Sequence, residues 1–295
     1  MKIIKNLKLN PYNTFNLNSL AKEVIIIENN NDLEKFLKFI QLSNKSNLII
    51  LGRGSNIVLT KTTYDYVFID RRNSIILKEN TIEIDGGVLL NNLIKFLWDQ
   101  KIVGLENLFG IPGTLAGAVI SNVGAYEREI EENILSVEVV DIETRDIFLL
   151  KKRDLNFSYR SSIFKKWLKE NKKFFITKIF IDLNSLIFLE REDDLKQYKS
   201  KAYNILKIRK FKLPRGRHVG SFFKNPPHNF AGKLIEEAGL KGFRYKNLVV
   251  SPKHANVIIN IGESTGEDVI AIENIIKEEV YKKFSILLER EVIYI

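Results

Sequence analysis

The chain has 295 residues, 45% of them hydrophobic, and a formal net charge of +10 at pH 7. This length is ample for a packed core and predicts more than one domain. Cysteine is absent, which excludes disulfides, thiol nucleophiles and cysteine–metal centres, and three histidines are too few to favour a zinc centre. We therefore predict no metal site.

The positive charge has two interpretations. It would attract nucleic acid, an anionic membrane or a negatively charged small substrate. Alternatively, it reflects a composition rich in lysine, asparagine and isoleucine. The lysines are scattered along the chain rather than grouped in one stripe, which favours the compositional interpretation. Since no helix-turn-helix, zinc-finger or RNA-recognition pattern is present, we predict no nucleic-acid partner.

Nothing in the hydropathy pattern predicts export or a membrane span. The first residues, "MKIIKNLKLNPYN", include lysines but lack the continuous apolar core of a signal peptide. The longest apolar runs, such as "FFITKIFI", are interrupted by polar residues and are too short to cross a bilayer. We predict a cytoplasmic protein without membrane insertion.

The predicted elements of the first hundred residues alternate between strand and helix. "EVIIIE" is a short β-run, and Asn31 or Asp32 is the expected cap of the helix that follows it. "NLIIL" is a buried strand that runs into "LGRGSN". Residues 74–85 predict a hairpin turning at Glu79-Asn80, and residues 88–100 have a helical pattern.

The remaining elements also mix helices and strands, which predicts an α+β fold. Residues 136–182 contain strand-like runs, and residues 191–210 form a charged helical connector. The C-terminal part is predicted to contain a helix at 231–238 that ends at Gly239, strands in "NLVVS" and "NVIIN", a helix at 267–283, and two short strands around Glu289 and Glu291.

"LGRGSN" places Gly52 and Gly54 at the end of a strand. Glycines allow a tight turn, and the exposed N–H groups of such a turn can bind phosphate oxygens, with Ser55 and Asn56 as further donors. Ile57 occupies the position of the third glycine of the dinucleotide fingerprint, so that motif is excluded. An ordinary glycine turn is the alternative.

"GIPGTLAGAVISNVGAY" predicts a long, stiff and nearly uncharged loop. Gly110, Gly113, Gly117 and Gly124 occur among small or apolar residues, and Pro112 fixes one φ angle. Such a loop is expected to lie against something flat or extended. A bound aromatic cofactor and a close-packed interdomain turn are equally compatible with the spacing.

Three short segments offer polar groups in rigid settings. Arg160 in "SYRSSIFK" could grip a carboxylate in a bidentate fork, although a surface salt bridge is the commoner fate of an arginine. Ser221 in "GSFFKNP" lacks a hydrolase motif but could donate a proton to a basic centre, or simply bond its own backbone. Glu289 and Glu291 would share one strand face, which could also be a solvated face.

Together these segments resemble the UDP-N-acetylenolpyruvoylglucosamine reductases, flavoenzymes of peptidoglycan precursor synthesis. The resemblance extends from about Thr14 to the last residue. It is carried, in the family's order and spacing, by "LGRGSN", "GIPGTLAGAVISNVGAY", "YRSSIFK", "GSFFKNP", "AGKLIEEAGLKG", "VSPKHANVIIN" and "LEREV".

The resemblance implies an α+β fold in which a two-subdomain FAD-binding region of the vanillyl-alcohol-oxidase type precedes a C-terminal α+β substrate-binding domain. The expected boundaries are 1–70 and 71–205 for the two FAD-binding subdomains and 206–295 for the substrate domain, whose final strand returns to the active site. It also implies a likeness to the shorter branch of the family, which lacks an extra substrate-covering loop. We expect a monomer.

The resemblance further implies NADPH as the reductant of FAD, a UDP-sugar enolpyruvate as substrate, and specific site residues. Arg160, Ser221 and Glu291 match the catalytic positions: the arginine stabilises developing charge with the glutamate as partner, and the serine protonates carbon. Tyr159, Lys224 and Asn225 match substrate-binding positions. The implied FAD-binding residues are Gly52, Arg53, Gly54, Ser55, Asn56, Gly110, Ile111, Pro112, Gly113, Thr114, Gly117 and Ala118.

The chain departs from the family pattern at several loops. Asn18-Ser19 and Lys246-Asn247 stand where paired glycines are usual, and Ala116 replaces a glycine of the cofactor wall. The segment "RGRHVG" is shorter and more basic than expected, so we hypothesise that Arg215 and Arg217 grip the substrate diphosphate.

Two other functions remain open from the sequence. One is a different flavoenzyme on the same cofactor fold that oxidises an alcohol or a sugar with oxygen. The matching serine and C-terminal glutamate count against it, and turnover with NADPH rather than oxygen would discriminate. The other is a nucleic-acid-binding module, which is motivated by the charge alone and predicts steeply salt-dependent DNA binding without flavin.

Overall fold

The computed structural model describes residues 1–42 and 48–295. The helices are α1 (Asn30–Leu42), α2 (Leu90–Asp99), α3 (Leu115–Ile120), α4 (Ile163–Lys169), α5 (Glu192–Lys212), α6 (Ala231–Glu237) and α7 (Gly266–Phe284). The strands are β1 (Lys2–Lys8), β2 (Leu20–Ile27), β3 (Leu48–Leu51), β4 (Ile57–Val58), β5 (Thr63–Asp70), β6 (Ile75–Leu77), β7 (Thr81–Asp85), β8 (Ile102–Val103), β9 (Gly124–Ala125), β10 (Arg128–Glu129), β11 (Ile134–Asp141), β12 (Ile147–Lys151), β13 (Phe174–Asp182), β14 (Ile187–Phe188), β15 (Arg244–Tyr245), β16 (Leu248–Val250), β17 (Ile258–Asn260) and β18 (Ile293–Tyr294).

The chain divides into two compact units, each built from three separate segments. The first unit comprises Met1–Lys2, Ile25–Ser46 and Phe68–Lys207, and the second comprises Ile3–Val24, Asn47–Val67 and Ile208–Ile295. The segments of the two units meet at boundaries inside β1, β2, β5 and α5. A four-stranded sheet has the strand order β1-β2-β5-β3.

The core of the first unit forms around a five-stranded antiparallel sheet of order β12-β11-β13-β7-β6. Its centre pairs Val137 of β11 with Ile179 of β13, which also pairs with Ile84 of β7. One hydrophobic cluster contains all three residues and the apolar stripe of α2, whose helical spacing was visible in the sequence: Leu90, Leu93, Ile94, Leu97 and Trp98. Each such buried side chain contributes about 2 kcal/mol.

The second unit contains a three-stranded antiparallel sheet of order β15-β16-β17, together with α6 and α7. The helix α7 begins at a capping box in which the Thr265 side chain accepts from the N–H of Asp268. Its buried stripe packs against β16 and α6. The last strand, β18, pairs in parallel with β4, and Ile293 lies opposite Ile57.

Most of the predicted elements are confirmed. The hairpin at Glu79-Asn80 forms between β6 and β7. Gly239 terminates α6 as predicted: it follows the C-cap residue Ala238 with a φ of +81°, in a Schellman motif in which the N–H of Gly239 donates to Glu236 and that of Leu240 to Ile235. The predicted strand "NLIIL" is β3, and Asn47 lies outside the described residues.

Three local predictions were wrong. The cap of α1 is Asn29, whose side chain accepts from the N–H of Asp32 at 2.9 Å; Asp32 instead accepts from Glu28. The glycine-rich segment is not a continuous loop, because its residues 115–120 form α3 under a Thr114 cap. No strand runs through Glu289 and Glu291; that segment has one isolated bridge, from Arg290 to Phe223, before β18.

Within the described residues, no helix combines the length and the hydropathy needed to span a membrane. The same residues contain no group of three or more histidine, aspartate or glutamate side chains arranged to hold a metal ion.

Candidate active site

Ser221 lies in the second unit on a turn that is neither helix nor strand. The preceding Gly220 has φ of +81°, in the left-handed region that favours glycine. Ser221 is partly exposed, and in the described chain its hydroxyl makes no hydrogen bond. The alternative of a serine bonded to its own turn is therefore not observed, and the hydroxyl is available as a donor.

The segment after Ser221 is fixed by burial and by one asparagine. Phe222 and Phe223 are 0% and 1% exposed, and their ring centroids lie 5.1 Å apart. The carbonyl oxygen of Asn256 accepts from the N–H of Phe222 at 2.8 Å. The Asn256 side chain makes two hydrogen bonds to the backbone of Phe223: it accepts from the N–H at 2.9 Å and donates to the carbonyl at 2.8 Å. This anchoring explains why two phenylalanines follow the serine.

The Glu291 segment pairs antiparallel with the serine turn. The N–H of Glu291 donates to the carbonyl of Phe222 at 2.9 Å, and the N–H of Lys224 donates to the carbonyl of Glu289 at 2.8 Å. The structure thus brings the backbones at Ser221 and Glu291 together within the second unit, although 70 positions separate them in the sequence.

Two further predicted substrate residues extend this turn. Lys224, with a side chain 14% exposed, forms an ion pair with Glu289 at 3.0 Å, whereas Glu289 is 60% exposed. The side-chain oxygen of Asn225 accepts from the N–H of Ala231 at 3.1 Å and so serves the first residue of α6. The amide NH2 of Asn225 donates to no acceptor among the described residues, so it is available to a ligand.

The "LGRGSN" turn has the properties of an anion cradle. The backbone N–H groups of Gly52, Arg53 and Gly54 donate to no acceptor in the described chain. Gly54 has φ of +61°, and a Cβ there would lie 2.2 Å from the carbonyl oxygen of Tyr12. Consecutive unpaired amides at such a turn form a nest for phosphate oxygens. The carbonyl of Asn56 accepts from the N–H of Ile293, so this turn and the residues after Glu291 are joined within the second unit.

The second glycine-rich segment lies in the first unit and is held by α2. The Asn91 side chain accepts from the N–H of Gly110 at 2.7 Å. Thr114 caps α3 by accepting from the N–H of Gly117 at 3.3 Å. The N–H groups of Gly113 and Thr114 donate to no acceptor within the described residues, and Gly117 is exposed. The segment therefore presents free donors and a bare backbone to a ligand.

Arg160 occupies the third position of a tight turn, where Ser158 and Ser161 exchange two backbone hydrogen bonds. Its φ is +53°, a conformation that costs a non-glycine residue about 1–2 kcal/mol. The guanidinium is 17% exposed and donates to Glu129 at 3.0 Å and to the carbonyl of Gly124 at 2.7 Å. Its Cζ lies 4.9 Å from the ring centroid of Tyr159.

The first unit brings the Arg160 turn and the glycine-rich segment together. The hydroxyl of Ser162 donates to the carbonyl of Ile120, the last residue of α3, at 2.7 Å. Asn122, fully buried, donates to Glu129 at 2.6 Å and to the carbonyl of Ser158 at 3.1 Å. Arg160 therefore belongs to a network within the first unit, whereas Ser221 and Glu291 belong to the second unit.

Sequence reasoning missed Glu129, Asn122, Asn256 and His218. Burial raises the pKa of the Glu129 carboxyl, and the Arg160 guanidinium opposes that rise. Asn122 was detectable as a polar residue in a segment otherwise rich in glycine and apolar side chains, whereas Glu129 stands among charged neighbours, Glu127, Arg128, Glu131 and Glu132, and gave no signal. Asn256 gave no signal, because its role depends on a contact with residues more than thirty positions away.

The departures from the family pattern are accommodated locally. Lys246 takes a φ of +50° between β15 and β16, so a lysine occupies a left-handed position, and its ammonium pairs with Asp268. Neither Asn18 nor Ser19 has a positive φ, and the Ser19 hydroxyl donates to the carbonyl of Lys61 at 2.8 Å. The methyl of Ala116 lies 3.4 Å from the position of a Cβ on Gly86, an ordinary contact.

Two family profiles match the chain. An FAD-binding domain matches residues 21–145, and the C-terminal domain of UDP-N-acetylenolpyruvoylglucosamine reductase matches residues 212–295. The first match includes both glycine-rich segments, and the second includes Ser221 and Glu291. This combination defines a flavoprotein oxidoreductase.

Full-length relatives identify the family. A UDP-N-acetylenolpyruvoylglucosamine reductase from Caldicellulosiruptor saccharolyticus is 36% identical, over 100% of this chain and 92% of the relative. Another, from Fusobacterium nucleatum, is 34% identical over the whole of both chains. The crystal structure of the reductase from Thermus caldophilus superposes with a TM-score of 0.78, at 26% identity, over 100% of this chain and 99% of that one.

The chain belongs to the UDP-N-acetylenolpyruvoylglucosamine reductase family. The expected fold class, α+β with an FAD-binding region before a C-terminal α+β domain, is confirmed. Membership of the family also confirms the expected enzyme class, an FAD-dependent oxidoreductase.

Proposed function

We propose that this chain reduces the enolpyruvyl group of UDP-N-acetylglucosamine enolpyruvate to give UDP-N-acetylmuramate, a step of peptidoglycan precursor synthesis. One observation carries the proposal beyond likeness to relatives. The Ser221 hydroxyl is unbonded on a turn anchored by buried phenylalanines, and the Glu291 segment pairs with that turn. This is the arrangement that a fixed proton donor and a neighbouring carboxyl require.

The two glycine-rich segments fit FAD. We infer that the free amides of Gly52, Arg53 and Gly54 bind the pyrophosphate, with Ser55 and Asn56 beside them, because unpaired amides at a positive-φ turn suit an anion. The segment from Gly110 to Ala118, with bare backbone at Gly113 and Gly117, would lie along the flavin. The chemistry that FAD supplies when bound is hydride transfer, from NADPH through flavin N5 to the terminal vinyl carbon of the substrate.

The protein side chains have to meet the charge and the proton of this reaction. We assign to Arg160 the stabilisation of negative charge that develops in the substrate carboxylate, since a guanidinium can bind it through two N–H donors. Glu291 is assigned as its partner carboxyl group. Ser221 would donate its hydroxyl proton to the adjacent carbon; a neutral serine suffices because that carbon is strongly basic.

Three residues are assigned to the rest of the substrate. The Lys224 ammonium is largely buried and already paired with Glu289, so it offers a positioned cation to the diphosphate or the reacting group. The remaining NH2 of Asn225 would donate to the same ligand. Tyr159, which is exposed beside the Arg160 guanidinium, would line the site.

One experiment tests the function. Purified protein should be yellow, lose that absorbance anaerobically with NADPH, and regain it when the enolpyruvyl substrate is added. Chromatography of the product should then identify UDP-N-acetylmuramate. A flavin that is reduced by an alcohol or a sugar and reoxidised by oxygen would instead indicate a different flavoenzyme on this fold. Absence of bound flavin would contradict both.

A further inference from the structure

The imidazole of His218 makes two contacts at the turn that carries Ser221. Its Nδ1 accepts from the backbone N–H of Gly220 at 3.0 Å, and its Nε2 lies 3.2 Å from the carbonyl oxygen of Pro214. A backbone N–H only donates and a carbonyl only accepts. The two contacts therefore fix the neutral tautomer that carries its proton on Nε2.

Gly220 depends on this acceptor. No atom lies within 4 Å of the place a Cβ on Gly220 would take, so contacts on that side do not fix the left-handed turn. The bond to His218 is the one that the Gly220 N–H makes among the described residues. The bonded N–H belongs to the Val219–Gly220 peptide, and the φ of Gly220 that follows it, +81°, sets the direction in which the chain enters Ser221.

We propose that His218 is a positioning residue for Ser221, holding the Gly220 peptide so that the serine hydroxyl is presented to the carbon it protonates. This proposal rests on the proposed function. The imidazole itself has no part in the chemistry, since it acts through the backbone.

The device works only while the ring is neutral. Protonation would place an N–H on Nδ1 against the N–H of Gly220, replacing a hydrogen bond by repulsion. Burial lowers the pKa of His218 from its ordinary value of 6.5, and the Pro214 carbonyl opposes this. The charged side chains of the same segment, Arg215 and Arg217, are exposed. The hydrogen bond from the Gly220 N–H to His218 is therefore fully formed at neutral pH. It is lost as the pH falls through the lowered pKa of His218, below 6.5.

His254 is a second buried imidazole with a related contact. Its Nδ1 accepts from the N–H of Asn256 at 3.3 Å, and Asn256 holds the phenylalanines after Ser221. Burial likewise lowers its pKa, with Lys212 and Lys241 acting in the same direction. His254 is the natural comparison for His218, because it serves the residues after the serine rather than the peptide before it.

The test compares His218→Phe, which removes the acceptor, with His218→Asn, whose side-chain oxygen can accept from the N–H two residues ahead. His228→Asn is the control, since His228 is exposed in the same loop. We expect His218→Phe to slow reoxidation by the enolpyruvyl substrate about tenfold, the worth of one hydrogen bond, and to leave flavin reduction by NADPH within about twofold. His218→Asn should restore the rate of reoxidation by the substrate. In wild type this rate should decline below pH 6.5, and in His218→Asn the decline should occur at lower pH. His254→Asn should leave unchanged the part of that decline that protonation of His218 causes.

Three outcomes would overturn the proposal. They are a His218→Phe rate equal to wild type, equal loss in both half-reactions, and an unchanged pH profile in His218→Asn. A measurement that needs no turnover tests the His218 contact independently of the assigned function. Nitrogen NMR of the labelled holoenzyme should show an unprotonated Nδ1 that titrates together with the Gly220 amide below pH 6.5. If wild-type enzyme accepts hydride but never reduces the enolpyruvyl substrate, the function fails, while the spectra still decide the His218 contact.

Discussion

Arg160 donates from Nη1 to Oε1 of Glu129 across 3.0 Å, while its own backbone holds a φ of +53°. Functional sites tolerate such strain when the surrounding contacts over-determine the residue. Here the contacts are Glu129, the carbonyl of Gly124, and the face of Tyr159. The orientation of the guanidinium is thus set before any ligand arrives.

Glu129→Gln should misalign Arg160. The amide can still accept from Arg160, but its NH2 then faces the NH2 of Asn122, whose hydrogen bond to Glu129 is lost. A hydrogen bond to a charged group is worth about 1.5–3 kcal/mol, so substrate reduction should slow roughly ten- to hundredfold. Stopped-flow measurement of the two half-reactions checks this, with Glu127→Gln, an exposed neighbour, as control. A normal oxidative rate would show that Glu129 does not position the arginine.

Ser221→Ala removes the assigned proton donor and nothing else, because the hydroxyl makes no hydrogen bond in the described chain. Flavin reduction by NADPH should be intact, while reduction of the enolpyruvyl substrate should fall by about 10²–10⁴. The comparison is Ser200→Ala, on the exposed surface of α5. Equal loss in both half-reactions would contradict the assigned role.

Gly117→Ala should separate cofactor binding from stability. A Cβ at Gly117 would meet only Oγ1 of Thr114, at 3.5 Å, and the residue lies inside α3. Alanine should therefore stabilise the flavin-free protein by up to about 1 kcal/mol, yet weaken FAD binding about tenfold by covering bare backbone. Thermal unfolding of flavin-free protein and fluorescence titration with FAD measure the two effects.

Gly54→Ala is the matched contrast. Its Cβ would lie 2.2 Å from the carbonyl oxygen of Tyr12, at a φ of +61°, so this change should lower stability and FAD affinity together. If Gly117→Ala binds FAD normally, the segment does not lie along the flavin.

Asp70→Asn should destabilise the first unit. Arg72 is fully buried and is held by Asp70 through two hydrogen bonds, at 3.0 and 2.8 Å, with Asp85 at 3.5 Å. Asp70→Asn leaves the buried guanidinium with the more distant Asp85 as its counter-charge, so the cost should approach that of a broken buried ion pair, about 3–5 kcal/mol. Denaturant unfolding should register this loss. Asp65→Asn breaks the exposed Lys22 pair and should leave the free energy of unfolding nearly unchanged, because solvent screens this pair.

The hypothesis on the two arginines takes a sharper form from the structure. With the Asn16 amide oriented so that its oxygen faces Arg217, that oxygen accepts from Nη1 and Nε of the guanidinium, each at 2.9 Å. Both arginines are exposed. Replacing both with alanine should raise the KM for the UDP-sugar about tenfold with kcat unchanged, the signature of lost uniform binding. Steady-state kinetics decide it, with Lys152 and Arg153, exposed cations of the first unit, replaced as control. An unchanged KM would refute the hypothesis.

Local patterns in the sequence predicted what depends on neighbours in the chain. Alternation and helical spacing placed the hairpin of β6 and β7 and the buried stripe of α2, because burial of one face is periodic in the sequence. The cap of α1 was misplaced by two or three residues, since several polar side chains in a row could serve.

Relations over long distances were not visible in the residues alone. The segment at Glu291 forms no strand of its own, and its conformation is set by pairing with the Ser221 turn. Asn256 and His218 act on backbone groups, which any sequence contains. The resemblance to a known family, rather than periodicity, selected the site residues, and the convergence of Arg160 with Ser221 and Glu291 stays a prediction.

The second unit is assembled from segments that emerge from the ribosome at very different times. The N–H and hydroxyl of Thr60 both donate to the oxygen of Ile295, 235 residues later. Early segments of this unit therefore lack some of their backbone hydrogen-bond partners while the rest of the chain is synthesised. At about 5–20 residues per second this takes on the order of ten seconds or more. Nascent chains halted before residue 208 should accordingly need chaperone protection, and the turn at Gly52 should reach its final conformation only after the residues around Ile293 have been made.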